Sequence, residues 1–196
     1  MPALICDAII LAGGRAARLG GATKPELTLA GRRLLDYALE AARGARRTVV
    51  VAPDSIAVPP GVARTMENPA HGGPVAAIGA GFAALAHDTA PAQYVLLLSC
   101  DAPAAAPAVA RMYAALAAAG DEVDGAVLSD DGRPQWLISI VRTAVLGSRL
   151  AELAPLPGRS MRALMAEFVL VSVPARGAES RDVDTWDDLE DLRAGW

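Results

Sequence analysis

A chain of 196 residues, 53% of them hydrophobic, holds enough apolar material for one core but too little length for two full domains, so a single domain over 1–196 is expected. A formal charge of −4 and a pI near 5.2 exclude a broad nucleic-acid-binding surface, which requires clustered Lys and Arg to neutralise many phosphates. No stretch reaches the roughly 18 to 20 uninterrupted apolar residues of a membrane span, and Cys6 and Cys100 lie in apolar runs that favour buried, reduced thiols; no membrane partner and a cytoplasmic setting are expected.

Taken in chain order, the first apolar run of strand length is Leu4 to Leu11, where Asp7 and the lack of a basic leader argue for a core strand rather than an export signal. Helix-like composition follows at Leu34 to Arg43, then a strand at Thr48 to Val51, a loop over 53–61 and a helix at Pro74 to Ala86. The pattern repeats with a strand at Tyr94 to Ser99 and a helix at Pro107 to Ala119, then strands at Gly125 to Leu128 and Trp136 to Val141. Helices at Thr143 to Leu153 and Met161 to Phe168, a strand at Phe168 to Val173 and a helix at Trp186 to Leu192 complete the chain. Pro74 and Pro107 stand near first-turn positions, and Gly44 and Gly120 follow helices where a left-handed cap is expected. Strands that alternate with helices, and that are apolar without polar alternation, predict an α/β fold with a mostly parallel sheet covered on both faces.

The run LAGGRAARLGGATK, from Leu11 to Lys24, directly follows the first strand. Its glycines, Gly13 and Gly14 among them, let backbone N–H groups approach a phosphate chain, while Arg18 and Lys24 neutralise charge that backbone dipoles cannot. The spacing is neither G-x-G-x-x-G nor G-x-x-x-x-G-K-[ST], which sets aside the dinucleotide fingerprint and the P-loop. The competing reading is a glycine-rich turn with solvated arginines.

Asp101 closes the apolar strand YVLLLS, and in an open α/β sheet ligands bind outside the carboxyl ends of the strands. It is therefore a candidate ligand for Mg²⁺, which needs one or two carboxylates besides substrate phosphates and water; a helix-capping role is the alternative. A second carboxylate is available at Asp184, in RDVDTWDDL, where Thr185 and Asp188 are spaced as a capping box. The remaining acidic residues of that segment read as a solvated helix face. Glu67, in ENPAHGGPVAAI, offers a carboxylate able to accept from the N1–H and amine of guanine, whereas His71 and His87 read as ordinary solvated residues.

In this order, LAGGRAARLGG-x-x-K, GGPVAAI, CDAP and DVDTWDDL resemble the molybdenum cofactor guanylyltransferase family of the nucleotidyltransferase superfamily, over nearly the whole chain. The resemblance implies a three-layer Rossmann-like nucleotidyltransferase fold. It also implies transfer of GMP from GTP to the terminal phosphate of the molybdenum cofactor, with Mg²⁺ bound and pyrophosphate released. By position, Leu11, Ala12, Gly13, Gly14, Lys24, Glu67 and Asp101 would contact GTP, Asp101 and Asp184 would hold the metal, and Lys24, Arg18 and Asp101 would carry catalysis. Molybdopterin or Mo-molybdopterin would be the acceptor, and cofactor-delivery proteins would be partners. The chain departs from the family pattern with Thr23 before the lysine, Ala52, Glu67 for Asp, and Asp182, Asp184 and Trp186 for Asn, Asn and Pro. Cytidylyltransferase relatives carry the acidic version, which leaves CTP and another phosphorylated acceptor as the alternative, beside a catalytically inactive nucleotide-binding adaptor. Asp131 to Gln135 and Gly158 to Arg162 resemble segments placed near the acceptor.

Overall fold

A computed structural model describes residues 4–13, 23–87 and 90–196. Nine strands, β1 (Cys6–Leu11), β2 (Thr28–Leu29), β3 (Arg32–Arg33), β4 (Thr48–Val51), β5 (Ala63–Thr65), β6 (Tyr94–Ser99), β7 (Gly125–Asp130), β8 (Arg133–Arg142) and β9 (Leu170–Pro174), run among the described residues. The helices are α1 (Leu34–Ala41), α2 (Pro74–Ala86), α3 (Ala106–Ala119), α4 (Thr143–Leu153), α5 (Met161–Met165) and α6 (Trp186–Gly195). Seven strands form one sheet in the order β5-β4-β1-β6-β8-β7-β9. β8 runs antiparallel to both β6 and β7, and the other pairings are parallel.

All six residues of β1 are buried because both faces of the strand are covered, which explains the missing polar alternation. Ala8 and Ile10 pack with Leu96 and Leu98 toward Leu35 of α1 and Val109 and Met112 of α3. Ile9 and Leu11 pack with Val49, Val95 and Leu97 on the opposite face, toward Ile78 of α2, Leu146 of α4 and Leu164 of α5. The result is a three-layer sandwich in which each fully buried Ile or Leu contributes roughly 1.5–3 kcal/mol. Gly81 lets α2 lie directly on the sheet, since a Cβ there would come within 2.6 Å of Ile9 Cγ2.

The α/β class, the parallel sheet and most elements agree with the sequence reading, with shorter ends at α1 and α5 and an earlier start for β8. Pro74 occupies a first-turn position and Gly120 is left-handed at φ 69°. Gly44 corrects the expectation: it is absent from the left-handed region, because α1 ends at Ala41 and is capped by Ala42, whose N–H bonds back to the Ala38 carbonyl. The edge strand β5 and the β2–β3 hairpin were not expected from sequence.

Asp7 sits 1% exposed at the end of the sheet remote from Asp101. Burial alone would raise its carboxyl, but hydrogen bonds from Arg46, Arg47 and the Ala92 N–H outweigh that, holding it below the usual aspartate value. Asp7→Ala is expected to cost about 3 kcal/mol, at the low end for a broken buried pair because both arginines keep access to water. A depressed carboxyl stabilises above its unfolded value of about 3.9 and loses that contribution as pH falls through its folded value. The melting difference between wild type and Asp7→Ala should therefore be full at neutral pH and shrink below about pH 4.

Candidate active site

From β1 the chain moves outward to β4 and β5, then returns to place β6 on the other side of β1. This reversal opens a crevice between the carboxyl ends of β1 and β6, the place where an open α/β sheet takes ligands. A cavity of about 600 Å³ occupies it, with Leu11 and Gly13 from β1 and its exit, Ser99 and Asp101 from the end of β6, and Leu137 from β8. Its far wall is the 67–77 segment, with Glu67, His71, Gly73, Pro74 and Ala77.

Local packing explains the small residues there. An added Cβ at Gly13 would meet only the Val51 carbonyl oxygen at 3.7 Å, so its own surroundings do not demand glycine; the missing side chain keeps the cavity wall open. Gly73, at φ 90°, is the N-cap of α2 and supplies no capping side chain, so the first turn of the helix starts at the cavity. Glu67 turns back on its own loop, accepting from the His71 N–H at 3.0 Å.

Lys24 is the hub of the site. It lies in a short 3-10 turn, Lys24–Glu26, anchored by buried Pro25 and by Arg33, which donates to Glu26 at 3.0 Å. Its Nζ donates to Asp101 Oδ2 at 2.8 Å and to Asp184 Oδ1 at 2.7 Å. Burial alone would lower the ammonium, but Asp101 and Asp184 outweigh it and hold Lys24 above the ordinary lysine value, so it stays charged. Asp184 reaches this point because Val183 is fully buried in a small core with Leu29, Leu34 and Leu189, and because the Val183 N–H bonds to the Asp101 carbonyl at 2.9 Å. The expected capping box is present: Thr185 Oγ1 accepts from the Asp188 N–H at 3.1 Å, and Asp188 accepts from the Thr185 N–H at 2.7 Å.

Behind this pair lies a second recess of about 280 Å³ that shares Ser99, Asp101 and Leu137 with the first and adds Gln135, Trp136, Met161 and Asp182. It exists because β8 bulges: consecutive β7 residues Val127 and Leu128 face Ser139 and Gln135, leaving Trp136 to Ile138 out of step. Such bulges re-aim side chains beside sites, and Ser139 pins this one by donating to the Trp136 carbonyl at 2.8 Å. Ser99 also donates to Asp101 Oδ1. Asp182 keeps much of its residue surface in water, yet its carboxyl faces the crevice and is pushed up to about 7, first by lost hydration and then by Asp101 and Asp184. Cys100 is buried, and burial with the neighbouring Asp101 pushes its thiol far up, so it is no thiolate nucleophile.

Leu11, Gly13, Glu67 and Asp101 thus line one cavity, and Lys24 and Asp184 meet Asp101 at its edge. Ala12 stands behind the wall: its methyl packs toward α1 and α3, and its N–H is used by the Val51 carbonyl at 2.9 Å. Gly14 and Arg18 lie outside the described residues. Ser99, Leu137 and Trp136 were not singled out from sequence, and His71, read there as an ordinary solvated residue, borders the cavity; the exit of β6 could have flagged Ser99, but no local signal announces the β8 bulge.

Residues 8–173 match the model for the MobA-like NTP transferase domain. The chain belongs to the MobA-like NTP transferase family. A MobA-like chain is a nucleotidyltransferase, and this assignment accounts for a glycine-lined crevice with one lysine between two carboxylates. Its fold is shared with the molybdopterin-guanine dinucleotide biosynthesis protein A of Archaeoglobus fulgidus, at 20% identity and TM-score 0.70 over 96% of this chain and 97% of that one. It is shared with Rv0371C of Mycobacterium tuberculosis H37Rv in complex with manganese, at 20% identity and TM-score 0.71 over 98% and 100%. The 2-C-methyl-D-erythritol 4-phosphate cytidylyltransferase of Thermus thermophilus has it too, at 18% identity and TM-score 0.68 over 95% and 97%. A search of curated protein sequences gives no significant match. Among the described residues, no helix is long and apolar enough to cross a membrane.

Proposed function

We propose that this MobA-like chain, acting in the cytoplasm as one unit over 1–196, transfers GMP from GTP to the terminal phosphate of Mo-molybdopterin and releases pyrophosphate. The observation that carries the reading is the convergence of Lys24, Asp101 and Asp184 where the two recesses meet. The GTP moiety takes the larger recess and the acceptor the smaller, so that both reach Asp101.

The donor set fits a hard divalent cation. Asp101 and Asp184 point oxygens at one position, filled by the Lys24 ammonium, and Asp182 lines the smaller recess beside them. Mg²⁺ takes one or two carboxylates and completes its shell with substrate phosphates and water, so the oxygens of Asp101 and Asp184 suffice for it. Mg²⁺ held by Asp101 and Asp184 would neutralise charge on the reacting phosphates.

The chain's own residues do the rest by position and charge. An acceptor phosphate oxygen attacks the α-phosphorus, and the bond from that phosphorus to the β-phosphate oxygen breaks. Lys24, held beside Asp101 at the edge of the larger recess, would stabilise charge growing on the α-phosphate. Arg18 would serve the leaving pyrophosphate, and Leu11 and Gly13, which line the larger recess, would border the nucleotide together with Ala12 and Gly14. No general base is required, because a phosphate monoester with a second pKa of about 6 arrives largely ionised.

Glu67 would read the guanine edge. The acidic Asp182 and Asp184 favour one second reading, a cytidylyltransferase using CTP on another phosphorylated acceptor. Equal concentrations of GTP and CTP supplied together should give the GMP adduct in excess. Glu67→Ala should shift the GTP to CTP ratio of kcat/KM by about tenfold with little loss of maximal rate, in line with about 1–3 kcal/mol for a paired base-edge contact. An unchanged ratio would remove the base-reading role.

A further inference from the structure

We infer that Arg111 and Glu179 are positioning residues that set where Asp182 and Asp184 stand; this rests on the proposed metal role of Asp101 and Asp184. Asp184 is carried by residues 175–185, which form neither helix nor strand between β9 and α6. Such a segment holds a metal-ligating carboxylate in place only if something fixes it.

Buried Val183 fixes one end of it, and a fork from α3 fixes the other. Arg111 donates through Nη1 to Glu179 Oε1 and through Nη2 to Glu179 Oε2, both at 2.6 Å. The same Nη2 donates to the Pro174 carbonyl at 3.0 Å, and Glu179 Oε2 also accepts from the Arg176 N–H at 2.7 Å. Glu179 is 6% exposed, an expensive place for a carboxylate unless its partner is fixed. Arg111 holds its carboxyl below the usual glutamate value, so the charge is kept. One residue on, Ser180 donates to Asp130 at the end of β7 at 2.7 Å.

These contacts join the two carboxylates by a second route. Asp101 stands five residues before the start of α3, α3 carries Arg111, and Arg111 holds Glu179, which precedes Asp182 by three residues and Asp184 by five. The fork therefore braces the gap between Asp101 and Asp184 independently of Lys24. A paired, bidentate Arg is suited to this because its planar fork fixes direction as well as distance. Loss of contacts that orient metal ligands typically costs about 10- to 100-fold in metal affinity.

The test uses Mn²⁺ alone, titrated into the purified full chain and followed by the electron paramagnetic resonance of free Mn²⁺, alongside thermal melting. Arg111→Met and Glu179→Gln should each weaken Mn²⁺ binding by about 10-fold or more, and Arg111→Lys, which keeps charge but loses the fork, by less. Asp7→Ala, a destabilising change at the remote end of the sheet, should lower the melting temperature and leave Mn²⁺ affinity unchanged. Folded variants that melt earlier but bind Mn²⁺ like wild type would overturn the brace while leaving the metal assignment standing. If Arg111→Met does not fold, Glu179→Gln and Arg111→Lys are read by the same criterion. A wild-type chain that binds no Mn²⁺ would overturn both the metal assignment and the brace.

Discussion

Asp101→Asn should reduce nucleotidyl transfer about 10³-fold or more, a loss of about 4 kcal/mol of transition-state stabilisation, in a protein that still folds. Asp101 accepts from Lys24 and from Ser99, borders both recesses, and offers its backbone carbonyl to Val183. Asn keeps the shape and the backbone bond but removes the charge on which a divalent cation depends. Its amide also keeps one acceptor oxygen where the carboxylate offers two, one to Lys24 and one to Ser99. Removing negative charge beside Asp182 and Asp184 relieves repulsion, so the melting temperature should change little. Steady-state pyrophosphate release, with circular dichroism and melting as controls, measures this; turnover within tenfold of wild type would remove Asp101 from the metal site.

Lys24→Ala should lower kcat by about 10²–10³, the loss seen when one donor to a developing oxyanion is deleted. KM for the nucleotide should change less, because the charge it stabilises grows only in the transition state. The same substitution has an opposite effect on cation binding without substrate. Without its ammonium, Asp101 and Asp184 face each other unneutralised, and an added divalent cation no longer competes for their oxygens. Mn²⁺ alone should therefore bind Lys24→Ala more tightly than wild type even as catalysis falls. Weaker Mn²⁺ binding in this variant would show that Lys24 and the cation do not share a position.

The sheet was legible because burial on both faces writes continuous apolar runs such as CDAIIL and YVLLLS into the sequence. The edge strand β5 was not: Ala63, Arg64 and Thr65 are three partly exposed residues with no apolar pattern, paired only by backbone to β4. The β2–β3 hairpin was missed for a related reason, since each strand has two residues; its signal was the Ala30-Gly31 pair, both at positive φ as a two-residue hairpin turn requires. In the site, Asp101 was legible as a carboxylate ending an apolar strand. The meeting of Lys24 with Asp184, 160 residues apart, follows from the burial of Val183 and is invisible to local pattern. The same holds for Arg111 and Glu179, separated by 68 residues. The β8 bulge that puts Leu137 and Trp136 into the crevice depends on pairing with β7, which no single strand records.

The central claim is direct transfer of a nucleoside monophosphate to a phosphorylated acceptor at this crevice. Purified protein, Mg²⁺ and α-³²P-GTP should be incubated with and without molybdenum cofactor freshly released from a carrier enzyme, with label and pyrophosphate followed together. The predicted result is cofactor-dependent appearance of label in the acceptor with one pyrophosphate per transfer, lost in Asp101→Asn. Bound GTP with no label in the cofactor and no pyrophosphate, in the presence of intact acceptor, would contradict it.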